Sequence, residues 1–285
     1  MPNVLDIRRR IRSVRSTQQI TKAMKMVATA KLRKAQERAL NSRPFDRQLQ
    51  HVLNSLVERT ESRSHPLLQQ RPEERVCLVV VTADKGLCGA FNTNIIKNAH
   101  SFLEERKQKE LSLCCVGRKG RDFFRKRPVV LVNEFINIFN KFDYTEGQRI
   151  AAPLMQAFSS GKVDAIYLLF NEFKSMIQQQ IVVKRLLPIR HSAPSHRETL
   201  VDYIYEQPPE EIFNNLLPMF VEFQVYHVLL ESAAAEHAAR MTAMGAATDN
   251  ASKFIDSLTL TMNRARQAGI TRELIEIVSG AAALG

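Results

Sequence analysis

The chain has 285 residues, 45% of them hydrophobic, so it is long enough for one large or two small domains with a real core. Its formal net charge of +12 predicts at least one anionic partner, and no apolar run approaches the ~20 residues of a membrane span, so we expect no direct membrane insertion. The four cysteines lack metal-ligand spacing and the seven histidines are scattered, which predicts reduced, packed thiols, no metal site and no cofactor.

The amino-terminal segment is predicted to form one long helix over residues 4–57. Small or apolar residues recur along it at alternating steps of three and four, the spacing of a coiled-coil seam. The seam positions are Val4, Ile7, Ile11, Val14, Gln18, Thr21, Lys25, Ala28, Leu32, Ala35 and Ala39. Polar residues in the middle of this seam weaken a coiled coil but fix its register. Pro44 is the expected kink.

The same helix is strongly basic, since only Glu37 opposes the many Lys and Arg side chains between Arg8 and Arg38. Three interpretations follow: a solvated helix face, contact with phosphates, or docking on acidic protein surfaces. Nucleic-acid-binding segments often interleave aromatic residues with basic ones, and the first aromatic residue here is Phe45. The pattern therefore favours nucleic acid less than the other two.

After a polar connector, strands and helices alternate along the middle of the chain. The predicted strands span residues 76–81, 111–116, 129–132, 165–170 and 180–187. The predicted helices span residues 92–107, 119–126 and 145–159. This alternation indicates a mainly parallel, doubly wound sheet of the Rossmann-like kind, with the last two strands as an antiparallel hairpin at one edge.

The turn after the first strand is where an enzyme of this fold would show its chemistry. Gly86 and Gly89 give G-x-x-G, which is neither the dinucleotide fingerprint nor the Walker phosphate loop. Asp84 and Lys85 form a charged pair, but no nearby His or second carboxylate completes an acid-base set. We therefore expect the glycines to serve a tight turn and the sheet to act as a scaffold.

A second long helix is predicted over residues 209–284, with Pro218 as an early kink. Its seam positions are Met241, Met244, Thr248, Ala251, Ile255, Leu258, Met262 and Ala265. Two long terminal helices around a middle domain predict an antiparallel coiled coil. The fold class is thus α/β, with a coiled-coil helix at residues 1–58, an α/β domain at 59–208 and a second coiled-coil helix at 209–285.

Blocks of sequence in three regions carry a resemblance to a known family. They are residues 20–28 near the amino terminus, 84–89 after the first strand, and 240–244, 247–251 and 263–284 near the carboxy terminus. Together they closely resemble the gamma subunit of F-type ATP synthases. The absence of the cysteine-bearing insertion of chloroplast relatives and of a mitochondrial presequence suggests the bacterial type.

The resemblance implies a central rotor stalk that couples proton-driven ring rotation to ATP synthesis or hydrolysis on alpha and beta subunits. It implies alpha, beta and epsilon subunits and the membrane c-ring as partners, with no nucleic acid and no catalytic residue in this chain. The expected place is the cytoplasmic face of the bacterial inner membrane. A basic nucleic-acid binder and an unrecognised α/β enzyme are the competing hypotheses, favoured only by charge and by the sheet.

Site residues follow from the resemblance by matching position. Those expected to contact alpha and beta subunits are Met24, Lys25, Arg240, Arg266, Gln267, Thr271 and Glu273. Those expected to meet the ring and epsilon are Tyr203, Tyr205 and Glu206. Taken without the resemblance, the segment around these tyrosines would be a final edge strand or a partner surface.

Overall fold

The structure is a computed structural model that describes residues 4–59, 65–140, 143–176, 178–189 and 209–282. Its helices are α1 (Val4–Arg59), α2 (Phe91–Glu105), α3 (Arg118–Phe124), α4 (Tyr144–Ser159) and α5 (Pro209–Ala282). Its strands are β1 (Arg75–Val81), β2 (Glu110–Val116), β3 (Val130–Phe135), β4 (Ala165–Phe173) and β5 (Gln179–Leu187). Every predicted helix and strand is present, and the predicted fold class is confirmed.

The five strands form one sheet in the order β3-β2-β1-β4-β5. The first four are parallel, and β5 pairs antiparallel with β4, as predicted for the edge hairpin. The predicted end of β3 is wrong, because the strand continues through Asn133 and Glu134 to Phe135. Since β3 is an edge strand with alternate residues exposed, polar side chains fit it and give no apolar run to detect.

The core lies around β1, which is buried from Val76 to Val81. Val79 and Val81 pack in one large cluster with residues of α1, α4 and α5, such as Ile150. The alternate residues of a strand point to the opposite face, where α2 contacts β1 and β4. Burial on both faces explains why this strand reads as a continuous apolar run.

The chain divides into two compact units. One, the terminal helix pair, comprises Met1–Ala28 and Arg240–Gly285. The other, the central unit, comprises Thr29–Ala239 and holds the sheet. The three-part division predicted from the sequence stays a prediction. Both long helices continue through their prolines, and the kinks expected there also stay predictions.

The terminal helix pair is antiparallel, as predicted. The Thr21 and Thr248 hydroxyls lie 2.8 Å apart, and Gln18 Nε2 donates to Ser252 Oγ at 2.6 Å. Residue numbers therefore rise along α1 as they fall along α5, so the two helices run in opposite directions. Apolar seam residues are buried or half-buried beside these polar pairs. Because one register satisfies both pairs, they specify the alignment of the two helices.

Lys25 is the one predicted seam residue of α1 whose side chain is exposed within the described part of the chain. Its stem nevertheless lies against α5 at Gly245, where an added Cβ would be 3.6 Å from Lys25 Cε. A glycine opposite a long side chain leaves room for the aliphatic part of that side chain to cover the seam.

The four cysteines are buried and none forms a disulfide, as expected. Burial raises the pKa of Cys77 to about 11 and that of Cys115 to about 12, and it raises the pKa of Cys114 well above its usual range. The thiolate is the reactive form, so these thiols should be inert in the folded chain at pH 8. We expect iodoacetamide to label them only after unfolding in urea, as measured by mass spectrometry. Rapid labelling in buffer alone would contradict this packing.

Candidate functional site

Among the described residues of the terminal helix pair, no helix lies beside the carboxy-terminal end of α5. Gln18 lies opposite Ser252, so in an antiparallel pair the start of α1 at Val4 lies opposite Arg266. Every side chain from residue 266 to residue 279 is exposed. We call this stretch the exposed segment of α5. It offers a helix surface that the described residues of the chain do not cover.

The exposed segment carries an apolar stripe. Ile270, Leu274, Ile277 and Val278 are spaced as one helix face, and their exposed fractions are 51%, 57%, 67% and 66%. Contiguous exposed apolar surface is typical of interaction sites. No charged residue follows Glu276 in the described part of α5, so contact there would be non-directional.

The predicted polar contacts flank this stripe. Arg266 and Glu273 are seven residues apart and share a face, as do Gln267 and Thr271, which are four apart. Thr271 Oγ1 donates to the Gln267 carbonyl at 3.0 Å, so its hydroxyl can only accept from a partner in this rotamer. All four side chains are exposed.

The other predicted contacts form a second group. Met24 and Arg240 are half-buried, and Lys25 is exposed and lies beside Gly245. Because α5 rises ~1.5 Å per residue, this group lies on the order of 30–40 Å along the helix from Arg266. The structure thus places the seven predicted contacts in two groups rather than one. Tyr203, Tyr205 and Glu206 lie outside the described residues.

Further apolar side chains are exposed on the terminal helix pair and were not predicted as contacts. They are Leu5, Ile20, Met26 and Val27 on α1 and Phe254 and Leu260 on α5. The sequence could have predicted their exposure, since these apolar residues lie off the three-four seam. A shallow cleft of about 430 Å³ lies near the start of α1, lined by Asp6, Ile7, Arg9, Arg10, Leu258 and Thr261.

The turn after β1 is held by hydrogen bonds between the Asp84 side chain and main-chain amides. Asp84 Oδ1 accepts from the amides of Arg118 at 3.0 Å and Asn137 at 2.9 Å, so its carboxylate ties together the turns that follow three parallel strands. Gly89 has φ +57°, which favours glycine. These contacts support the structural role expected for the turn.

The parts of the chain that the structure describes hold neither a cluster of metal ligands nor a membrane-spanning helix. In those parts, His, Cys, Asp and Glu side chains form no group of three or more that could hold a metal ion. No described helix has a stretch long and apolar enough to cross a membrane.

Comparison with known proteins decides the family. A family model described as ATP synthase matches residues 3–284. The ATP synthase gamma chain of Solibacter usitatus is 52% identical over 99% of both chains. This chain belongs to the ATP synthase gamma chain family. The gamma chain of Heliobacterium modesticaldum is 48% identical over the full length of both chains.

Solved structures agree with this membership. The central stalk and c-ring structure of the Tetrahymena thermophila mitochondrial ATP synthase contains a chain that is 26% identical, with a TM-score of 0.61 over 80% of this chain and 99% of that one. A chain of the Euglena gracilis mitochondrial ATP synthase rotor has a TM-score of 0.64 over 94% of this chain and 98% of that one. At 17% identity, this second likeness shows the fold alone.

Membership in the gamma chain family confirms the resemblance seen in the sequence. It also confirms the predicted function as a central-stalk subunit and the prediction that the chain is a non-catalytic part of a larger enzyme. The partner prediction is confirmed at the level of the ATP synthase complex. The individual contact residues stay predictions.

Proposed function

We propose that this chain is the rotating shaft of a bacterial ATP synthase. In this proposal its terminal helix pair turns inside a ring of alternating alpha and beta subunits. The segment containing Tyr203, Tyr205 and Glu206 engages the c-ring and epsilon at the cytoplasmic face of the inner membrane. Proton flow through the ring turns the shaft, and its rotation drives synthesis on the beta subunits. The observation that carries the proposal is the exposed segment of α5.

The exposed segment suits a surface that meets several partners in turn. Its apolar stripe offers dispersion and hydrophobic contact without directional bonds, so no single orientation is strongly preferred. A stationary partner would instead favour a pattern of paired charges and fixed hydrogen bonds. The carboxy-terminal stripe therefore supports a bearing-like contact.

The polar side chains beside the stripe offer what the apolar stripe does not, namely a contact that depends on the rotation angle of the shaft. Arg266 presents a planar fork of donors, and Gln267 presents both donors and an acceptor. In the proposal these side chains bind polar groups of one catalytic subunit at a time. The basic face of α1 adds attraction to acidic partner segments, which biases the conformation that each subunit adopts.

Replacing Arg266 and Gln267 together by Ala tests the proposal. Both side chains are exposed, and Ala is the best helix former, so folding should be unaffected. We expect ATP-driven proton pumping per ATP hydrolysed to fall severalfold in membrane vesicles, with the thermal melting of the chain unchanged.

The matched control is the double replacement of Asn263 and Arg264 by Ala. This pair also removes one amide and one guanidinium from exposed positions on the same helix, but it lies outside the predicted contacts. The control should pump normally. If the Arg266 and Gln267 variant melts early while its surviving complexes couple normally, the residues are structural and the proposed contact is wrong.

A further inference from the structure

A partly buried ion pair joins the two long helices inside the central unit. Arg43 of α1 bonds Glu231 of α5 through Nε to Oε1 at 2.9 Å and through Nη2 to Oε2 at 3.2 Å. The Glu231 side chain is only 1% exposed and that of Arg43 31%. The hydrogen bond to Glu231 raises the pKa of Arg43, so the guanidinium keeps its charge. Such a two-point pair is directional as well as strong.

The same pair also forms hydrogen bonds with the main chain at the end of β4. The amide of Phe173 donates to Glu231 Oε2 at 3.0 Å, and Arg43 Nη2 donates to the Phe173 carbonyl at 2.8 Å. Both polar groups of one peptide residue are therefore bound by side chains from two different helices. Phe173 is the last residue of β4.

The position of this contact follows from the lengths of the strands. β1 pairs with β4 only as far as Val80 and Leu169, whereas β4 continues to Phe173. Beyond that point no strand among the described residues pairs with the edge of β4 that faced β1. Unpaired main-chain groups are costly when buried. Arg43 and Glu231 take the place of the missing strand at Phe173.

Neighbouring contacts tie the same two helices together. Ser42 Oγ lies 2.9 Å from His227 Nδ1, one residue along α1 from Arg43. Asp46 accepts from Gln224, whose Oε1 in turn accepts from Lys184 of β5 at 2.6 Å. The helices are therefore linked to each other three times, within about one turn of α1 and about two turns of α5. Two of these links also reach the sheet.

We propose that the Arg43–Glu231 pair is a torque clamp, the point at which the sheet holds both long helices against rotation about their axes. The proposal rests on the proposed function as a rotating shaft. Apolar packing is non-directional and allows helices to slip, whereas charge-assisted bonds from both helices to one peptide residue resist such slip. Torque applied to the central unit would pass to α1 and α5 together at Phe173.

Arg43→Lys in the assembled complex tests the clamp. Lys keeps the positive charge, but its compact ammonium cannot reproduce the planar fork on both Glu231 oxygens and the Phe173 carbonyl. We expect ATP hydrolysis without load to stay near that of the unmodified complex. Proton pumping per ATP should fall severalfold as the opposing proton gradient grows. Load dependence separates a clamp from a merely structural residue, which would affect both conditions alike.

Two further measurements keep the result decisive. Hydrogen exchange at the Phe173 amide should quicken by about tenfold in the variant, because Arg43 no longer orients the Glu231 carboxylate that accepts from this amide. Glu231→Gln keeps the shape of the side chain without its charge and should show the same load-dependent loss. Arg149→Lys is the matched control, because Arg149 is exposed and pairs at 2.7 Å with the half-buried Glu146 of its own helix α4.

Each outcome decides between the ideas. If Arg43→Lys exposes the Phe173 amide yet pumps normally against a gradient, the clamp is wrong and the rotating shaft stands. If both clamp variants fail to assemble while Arg149→Lys assembles, the pair serves folding and the clamp is again wrong. If coupling survives the Arg266 and Gln267 replacement, the proposed catalytic-subunit contact fails independently of the clamp.

Discussion

A disulfide between a cysteine at position 265 and a surrounding beta subunit is expected to stop ATP hydrolysis until it is reduced. Ala265 is half-buried and lies where α5 still has α1 beside it, one residue before the exposed segment begins. The bond would hold the shaft to one catalytic subunit and prevent it from reaching the others. ATPase activity of the purified complex, measured before and after dithiothreitol, gives the answer directly.

The control disulfide joins the two helices to each other. Thr21 and Thr248 suit it, because their hydroxyl oxygens are 2.8 Å apart and cysteine sulfurs at these positions would come close to bonding distance. Paired helices that turn together need not slide, so Thr21→Cys with Thr248→Cys should leave ATPase activity nearly intact when oxidised. Loss of activity would show instead that the helices move against each other.

The placement of the first crosslink matters. A bond farther along α5 would fall in the exposed segment, which has no partner from α1 among the described residues. Helix ends without partners for their carbonyl groups unwind easily, so a crosslink there could let the shaft swivel. Full activity with position 265 locked, independent of reductant, would contradict the rotating shaft.

The sequence predicted the terminal helix pair well because burial there depends on local spacing. Three-four spacing alone identifies Ile7, Ala28 and Ile255, which are all buried. It cannot identify Gly245 as the residue beside Lys25, since that contact depends on the alignment of two segments more than 200 residues apart. The same limit applies to where Met24 and Lys25 lie along α5, since that also depends on the alignment of the two helices.

The ion pair in the central unit could not be predicted from the sequence. Arg43 reads as one more basic residue of α1, and its partner Glu231 is 188 positions away. Glu231 alone gives a signal in the sequence, because it is a carboxylate within a buried stretch that includes Leu230 and Ala233. A charge in such surroundings predicts a partner, but not which one. The contact of Arg43 and Glu231 with Phe173 depends on β4 extending beyond the end of β1. Strand ends are poorly marked in a sequence.

The turn between β2 and α3 gives the largest expected effect on folding. Gly117 has φ +95°, and its amide donates to the Phe135 carbonyl at 2.7 Å. A Cβ at this position would lie 2.0 Å from the Thr82 carbonyl oxygen. Thr82 cannot withdraw easily, because its own amide donates to Val116 at 2.8 Å and its hydroxyl accepts from Gly120 at 2.8 Å. The turn therefore has no room for any side chain.

Gly117→Ala should lower the free energy of unfolding by at least about 3 kcal/mol, from the positive φ together with the overlap of Cβ with backbone. Gly269→Ala is the opposite case, because Gly269 lies within α5 and an added Cβ would meet nothing within 4 Å. Ala there should raise helix stability by roughly 0.5–1 kcal/mol. Urea unfolding followed by circular dichroism compares the two variants. If Gly117→Ala unfolds at the same urea concentration as the unmodified chain, the close approach of Gly117 to Thr82 is wrong. Equal losses in both variants would show a general penalty for replacing glycine rather than this contact.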